Sequence, residues 1–403
     1  MQRRDFLKLT SSALLGPIVG GQFTQSVLAA QLTANTSTIM QTKSNSSQMP
    51  VLILIELSGG NDSHNTVIDL NQLSAYQALR PNLGLSKNER SKLDNRFALH
   101  HSLADFITPW AQGELALVHG LGYPQPNKSH FRSIEIWDMA STANEHGSSG
   151  WLANILADIS KNPIDALTFG RNSTVFSGGT STHVQLNNLS SYFKNINNWD
   201  NHTQGKSNSA LRHLLTLGKD IEASKALLMQ GLTKKINIKT QFPKTKFSRQ
   251  LADVAKVIRM DLQIPAFKVA IGSFDTHVGQ KNKHQKLLKD LADGMLALRE
   301  ELQLSGHWPN VLMMTYSEFG RRAAQNNSGG SDHGTAASHF LMSGRVKGGH
   351  YGSYPDLSAL VNRDVTFNTD FKALYQSVVR QWWEQPNFTI AAGLAPLDIL
   401  HRS

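Results

Sequence analysis

The stretch Val51–Asn65, "VLILIELSGGNDSHN", decides the architecture. Its first seven residues are continuously apolar apart from Glu56 and carry several branched side chains. A run of that length without alternation suits a strand covered on both faces, as in a parallel sheet flanked by helices. Two glycines follow, then Asp62 and His64. A core strand that ends at once in a carboxylate and an imidazole points to a site at the strand's carboxyl end, where open α/β sheets bind ligands.

The rest of the chain repeats the arrangement. Further strand candidates are residues 114–120, 267–274, 310–319 and 339–344. Between them run helical patterns with apolar residues three and four apart, such as Phe247, Leu251, Val254, Ile258 and Leu262, or Leu211, Leu214, Leu215 and Ile221. Alternating strands and helices predict an α/β fold, a mostly parallel central sheet sandwiched by helices. Each strand candidate is followed by chemistry: Ser129 and His130, then Asp275 and His277, then Glu318, Asp332 and His333, and last His350.

The spacings bear on metal binding. Asp275 and His277 lie two apart, so on extended backbone both side chains leave the same face. Asp332 and His333 are adjacent, and Gly329 and Gly330 just before them permit a turn that brings both inward. The chain has no cysteine, so a metal must be held by histidine, carboxylate or backbone oxygen. That donor set favours a divalent ion, zinc or manganese first, with calcium or magnesium as alternatives, over an iron–sulfur cluster. Each residue also has a plainer role open to it. Asp62 caps a turn, Asp275 and His277 form a surface pair, Glu318 pairs with Arg321, His350 serves a glycine turn, and Ser129 caps the helix that follows it.

The amino-terminal residues "MQRRDFLKLTSSALLGPIVGG" carry paired Arg3 and Arg4, with Val27 and Ala29 at the spacing of a signal-peptidase site. This pattern resembles a bacterial twin-arginine export signal over residues 1–29, which implies the twin-arginine translocase as a partner and a periplasmic or extracellular location. Its apolar part is too short and interrupted for a stable membrane span. Residues 30–48 are dominated by polar amino acids and read as a disordered tether. Residues 49–403 then form a single domain, with a polar insertion at about 171–209 that holds Tyr192, Phe193 and Trp199. The insertion is a long surface loop or a cradle for a sugar. The net charge of +10 favours anionic partners, but no nucleic-acid motif accompanies it.

The segments "GGNDSHNTV", "FALHHSL", "NKSHFRSIEIW", "GSFDTHVGQ", "TYSEFGRR", "SDHGTAASHFLMSGRVKGGHYG" and "TDFKALYQSVVRQWW", in that order, resemble the bacterial family called domain of unknown function 1501. The resemblance implies membership of the alkaline phosphatase and sulfatase superfamily, with its α/β sandwich and its metal ligands at strand ends. It implies Asp62, Asp275, His277, Asp332 and His333 as ligands and Ser129 as nucleophile. Glu318 stands where the superfamily has its Asp-His pair, which makes it a further ligand candidate. The function so implied is an exported metal-dependent hydrolase of phosphate or sulfate esters, acting on an anionic small molecule or glycan. A non-catalytic binding or assembly protein on the same fold is the alternative. No G-x-S-x-G elbow, H-E-x-x-H helix or P-loop is present.

Overall fold

The computed structural model describes residues 48–160, 162–197, 222–231 and 233–401. The segment read as an export signal, nearly all of the expected tether and the helix expected around Leu211–Ile221 lie outside the described residues. At the centre, β1 (Val51–Leu57) is the fifth strand of an eight-strand path. Its side chains alternate between two cores. Val51, Ile53, Ile55 and Leu57 enter one, and Leu52 and Leu54 the other. The unbroken apolar run therefore has the cause read from it: helices cover both faces. Each such buried side chain contributes roughly 1.5–3 kcal/mol.

The long strands of the sheet are β5 (Leu115–Gly122), β8 (Ala266–Ile271), β9 (Val311–Tyr316) and β10 (Ala337–Met342). The shorter ones are β6 (Ala166–Phe169), β7 (His183–Leu186), β11 (Gly349–Tyr351) and β12 (Thr369–Asp370). The order is β11-β5-β10-β9-β1-β8-β6-β7, with β12 also pairing β5. Every pairing is parallel except those of β10, which is antiparallel to both β9 and β5. Reversing one strand has a direct result. The start of β10 lies on the edge where the other strands end, so Asp332 and His333, just before it, join that edge. His350, read as following a strand's carboxyl end, belongs instead to β11 beside Leu117, near the beginning of β5. The described part of the polar stretch, residues 171–197, supplies β7 and the helix Leu189–Asn197.

Over one face pack α1 (Lys246–Arg259) and the long α2 (Gln280–Leu304). Over the other lie α3 (His130–Met139), α4 (Trp151–Ile159) and α5 (Phe371–Ser377). A three-stranded antiparallel sheet, β2 (Val67–Asp69), β4 (Phe97–His100) and β3 (Arg90–Lys92), stands after the β1 turn.

The β1 turn is held by a residue from this excursion. Arg80 is fully buried, and its Nη1 donates to Asp62 Oδ2 at 2.5 Å and to Asn65 Oδ1 at 2.7 Å. Its Nε and Nη2 donate to the carbonyls of Ala323 and Arg322 at 2.7 and 2.8 Å. Gln280 also donates to Asp62 Oδ2. Burial alone would raise the Asp62 pKa, but the Arg80 charge and hydrogen bond outweigh it and hold the carboxyl well below its ordinary value. Removing one partner strands the other charge in the core, a loss of about 3–5 kcal/mol. Arg80→Met should therefore lower urea-unfolding stability by about that amount, and the double variant with Asp62→Asn by less than the sum of the two single losses.

Candidate metal centre

Three loops and one helix start converge at the carboxyl edge of the sheet. Asp275 and His277 follow β8, Glu318 and Arg321 follow β9, His333 precedes β10, and His130 opens α3. Two glycines let the loops touch. A Cβ at Gly59, whose φ is +115°, would sit 2.3 Å from the Asp275 nitrogen, and one at Gly330 would sit 2.3 Å from the Thr276 carbonyl oxygen. Glycine in the β1 turn thus serves loop-against-loop packing.

Arg321 fastens the loops. It is fully buried and donates to the carbonyls of Gly59, Gly60 at 2.8 Å, Phe274 at 3.2 Å and Ser331 at 2.8 Å. Its Nη2 also donates to Asp275 Oδ1 at 2.6 Å. Arg321 therefore serves Asp275, and among the described residues it makes no ion pair with Glu318. Burial would raise the Asp275 pKa, yet the hydrogen bond and charge of Arg321 hold it at about 2.

The histidine tautomers follow from their partners. His130 Nδ1 lies 2.8 Å from Glu318 Oε1, His277 Nδ1 3.2 Å from Asp332 Oδ1, and His333 Nδ1 2.8 Å from the Lys128 carbonyl oxygen. Carboxylate and carbonyl oxygens only accept, so each Nδ1 carries the ring proton and donates it. With the ring neutral, each Nε2 then turns a bare lone pair inward. These nitrogens lie 3.5 Å (His130), 3.1 Å (His277) and 3.2 Å (His333) from oxygens of Asp275. The Nε2 atoms of His277 and His333 are 2.9 Å apart. Acceptors so crowded repel one another unless protons or a cation stand between them. The spacings among His277, His333 and Asp275 approach the ligand–ligand edge of a tetrahedron with bonds near 2.0–2.1 Å, roughly 3.3 Å. His130, Asp275 and His333 each bring a ligand atom within 4.8 Å of the other two, and His277 adjoins them.

Of the residues picked out from the sequence, Asp275, His277, Glu318, Asp332 and His333 come together. Asp62 does not: it is fully buried against Arg80. Glu318 is nearly enclosed and accepts from His130, from the Gly59 N–H at 2.8 Å and from Ser317 at 3.2 Å. Asp332 accepts from His277 and from Asn326 Nδ2 at 3.0 Å. Both carboxylates stand behind a histidine, an arrangement that orients a metal-binding ring and raises its basicity. Sequence reasoning gave His130 no role, although it directly follows Ser129 and opens an evident helix. His350 lies elsewhere, in a chain from Ser338 Oγ through His119 and His350 to Asp94 with steps of 2.9, 2.8 and 2.7 Å.

Ser129 occupies the N-cap position of α3, yet its side chain makes no capping hydrogen bond. It is exposed and lies between Lys128, which holds His333, and His130. Beside them opens a cleft of about 620 Å³, lined in part by Glu56, His130, Phe131, Asn172, Asp275 and Glu318.

The sequence from residue 51 to 379 matches the family described as "Protein of unknown function (DUF1501)". The chain belongs to this family. Among solved structures it is similar to the PsFucS1 sulfatase from Pseudoalteromonas sp., at 10% identity and a TM-score of 0.40, covering 92% of this chain and 74% of that one. It is also similar to the lipoteichoic acid synthase LtaP from Listeria monocytogenes, at 10% identity and a TM-score of 0.35, covering 81% and 76%. A third similar structure is the alkaline phosphatase from the Antarctic bacterium TAB5, at 11% identity and a TM-score of 0.30, covering 73% and 92%. No curated protein matches the chain. No helix among the described residues is long and apolar enough to cross a membrane.

Calorimetric titration of the purified protein with zinc should give one site per chain. Glu318→Gln should weaken it about 10–100-fold, because the His130 ring loses the carboxylate charge that orients it and raises its basicity. The Glu318 hydrogen bond raises the His130 pKa, so protons compete with metal above the ordinary histidine value. Zinc affinity should therefore still be rising as the pH passes about 6.5.

Proposed function

We propose that this protein is an exported, metal-dependent hydrolase of phosphate or sulfate esters, built as one domain over residues 49–403. The observation that carries the reading is the set of three imidazoles, each with Nδ1 against an oxygen on the outside and Nε2 turned toward Asp275. In this reading His130, His277, His333 and Asp275 hold the ion, Glu318 and Asp332 orient the rings, and Asp62 keeps the β1 turn in place. Three nitrogens and one carboxylate suit zinc better than the oxygen-seeking calcium or magnesium. When bound, the ion supplies a Lewis acid that offsets charge on the ester oxygens and favours an ionised nucleophile.

The chain's own groups do the rest. Ser129 Oγ, uncommitted to capping, is the nucleophile. It stands at the amino end of a ten-residue helix, whose backbone N–H groups and dipole favour an anionic group there. Arg321 neutralises Asp275 from behind and keeps the three loops in register, so the site needs little rearrangement when an ester arrives. The anionic ester, on a small molecule or a glycan, enters by the cleft beside α3.

Export through the twin-arginine translocase to the periplasm or beyond belongs to the same proposal. It rests on Arg3 and Arg4, and replacing both with lysine should leave the precursor in the cytoplasm by fractionation.

A panel of chromogenic phosphate and sulfate esters tests the activity. The zinc-loaded protein should hydrolyse members of one class. Ser129→Ala should keep its zinc and lose turnover by about 10³-fold or more. A parent that binds zinc but cleaves no ester would leave a binding protein on this fold.

A further inference from the structure

One wall of the cleft carries a buried charge cluster that the roles above do not use. Lys268, in β8, is almost wholly enclosed, and its Nζ lies 2.9 Å from Glu56 Oε2 and 3.4 Å from Asp138 Oδ2. Asp138, in α3, is fully buried and accepts from Tyr316 OH at 2.8 Å and from Asn172 Nδ2 at 3.0 Å. One ammonium thus faces two carboxylates in a space nearly closed to water. The cluster carries an uncompensated negative charge unless one carboxyl holds a proton.

The hydrogen bonds decide which one. Every contact to Asp138 comes from a donor, and the three are shared over both its oxygens, as suits an ionised carboxylate. Glu56 has only Lys268 close at hand, with Tyr316 OH at 3.5 Å, and both approach the same oxygen, Oε2. Its Oε1 makes no hydrogen bond to any described residue, and Glu56 lines the cleft that also exposes His130 and Asp275. The proton of the cluster therefore belongs on Glu56, the carboxyl of the two that lines the cleft.

Resting on the ester-hydrolase reading, we infer that Glu56 is the general acid for the leaving group and that the substrates are phosphate or sulfate monoesters of aliphatic alcohols. An aryl oxide departs readily without a proton. An aliphatic alkoxide is a far stronger base and departs with one. A carboxyl kept protonated beside the cleft has a use only for the second kind. Phe131, 88% exposed on the cleft rim, offers an apolar face to the carbon skeleton of such an alcohol.

The step balances. Ser129 Oγ forms a bond to phosphorus or sulfur, and its proton passes to water in the open cleft. The bond from phosphorus or sulfur to the alcohol oxygen breaks, its electron pair stays on that oxygen, and the oxygen takes the Glu56 proton. Glu56 is left as a carboxylate against Lys268. In the second half a water oxygen bonds to phosphorus or sulfur and one water proton returns to Glu56. Ser129 leaves with its electron pair and regains a proton from solvent. The groups facing Glu56 act in opposite directions. Burial and the charges of Asp138 and Glu318 raise its pKa, while Lys268 lowers it, and the net shift is upward.

Two measurements test this on the full protein. In the metal-free parent at pH 7, infrared spectra should contain a protonated-carboxyl band that is missing from Glu56→Gln. In the zinc-loaded protein, kcat/KM should be compared for ethyl and p-nitrophenyl esters of phosphate and sulfate. The Glu56→Gln loss on the ethyl ester should exceed that on the p-nitrophenyl ester by about 10²-fold or more. Should Glu56→Gln melt below the assay temperature, Glu56→Asp, which withdraws the acid by one methylene, should show the same inequality. Equal losses on the two esters, or no band assignable to Glu56, would overturn the general acid while ester hydrolysis stands. A parent that cleaves neither ester would overturn the hydrolase reading and this inference with it.

Discussion

A single buried guanidinium holds the candidate site together. Arg321 reaches carbonyls in the loops after β1 and β8 and in the loop before β10, and it ends on the Asp275 carboxylate. Its planar donor fork suits this use, because several fixed directions are satisfied at once. A lysine there would present the charge as a point and leave carbonyls without donors. The charge is tolerable in the interior because its donors are matched and because Asp275 stands opposite. The positive charge at this edge is thus one the protein supplies itself.

The second constraint is topological. Eight of the nine strands run one way, so their trailing loops gather on one edge as a matter of course. β10 runs the other way, and this delivers the loop before it to the same edge. Asp332 and His333 can then face Asp275 and His277 across a short gap. With a parallel β10 the preceding loop would end on the far side of the sheet. The histidine cluster depends on that reversal.

Much of this was legible in the sequence, for physical reasons. The run 51–57 showed a strand covered on both faces because such burial demands unbroken apolar residues. The pairs Asp275–His277 and Asp332–His333 showed themselves by spacing and by nearby glycines. What stayed hidden depends on contacts between distant parts of the chain. Asp62 reads as a ligand on a turn, and only the fold brings Arg80 through the small sheet to meet it. Glu318 and Asp332 have the residue type of ligands. Their place behind His130 and His277 depends on which ring nitrogen meets which oxygen, and spacing carries no such information. His350 was misjudged with the direction of β10, since a pattern of apolar residues has no polarity along the sheet.

The margins of the sheet set how the molecule meets its neighbours. At one end β5 is flanked by β11 over three residues and by β12 over two, with a loop passing between them. At the other end β7 contributes four residues. Neither border presents a long, straight row of free N–H and C=O groups. A strand from another molecule arriving at either side finds only a few places to pair before the rail gives out. The described nine-stranded sheet, with its strongly apolar interior, is thus guarded against edge-to-edge growth by the brevity of its outermost strands.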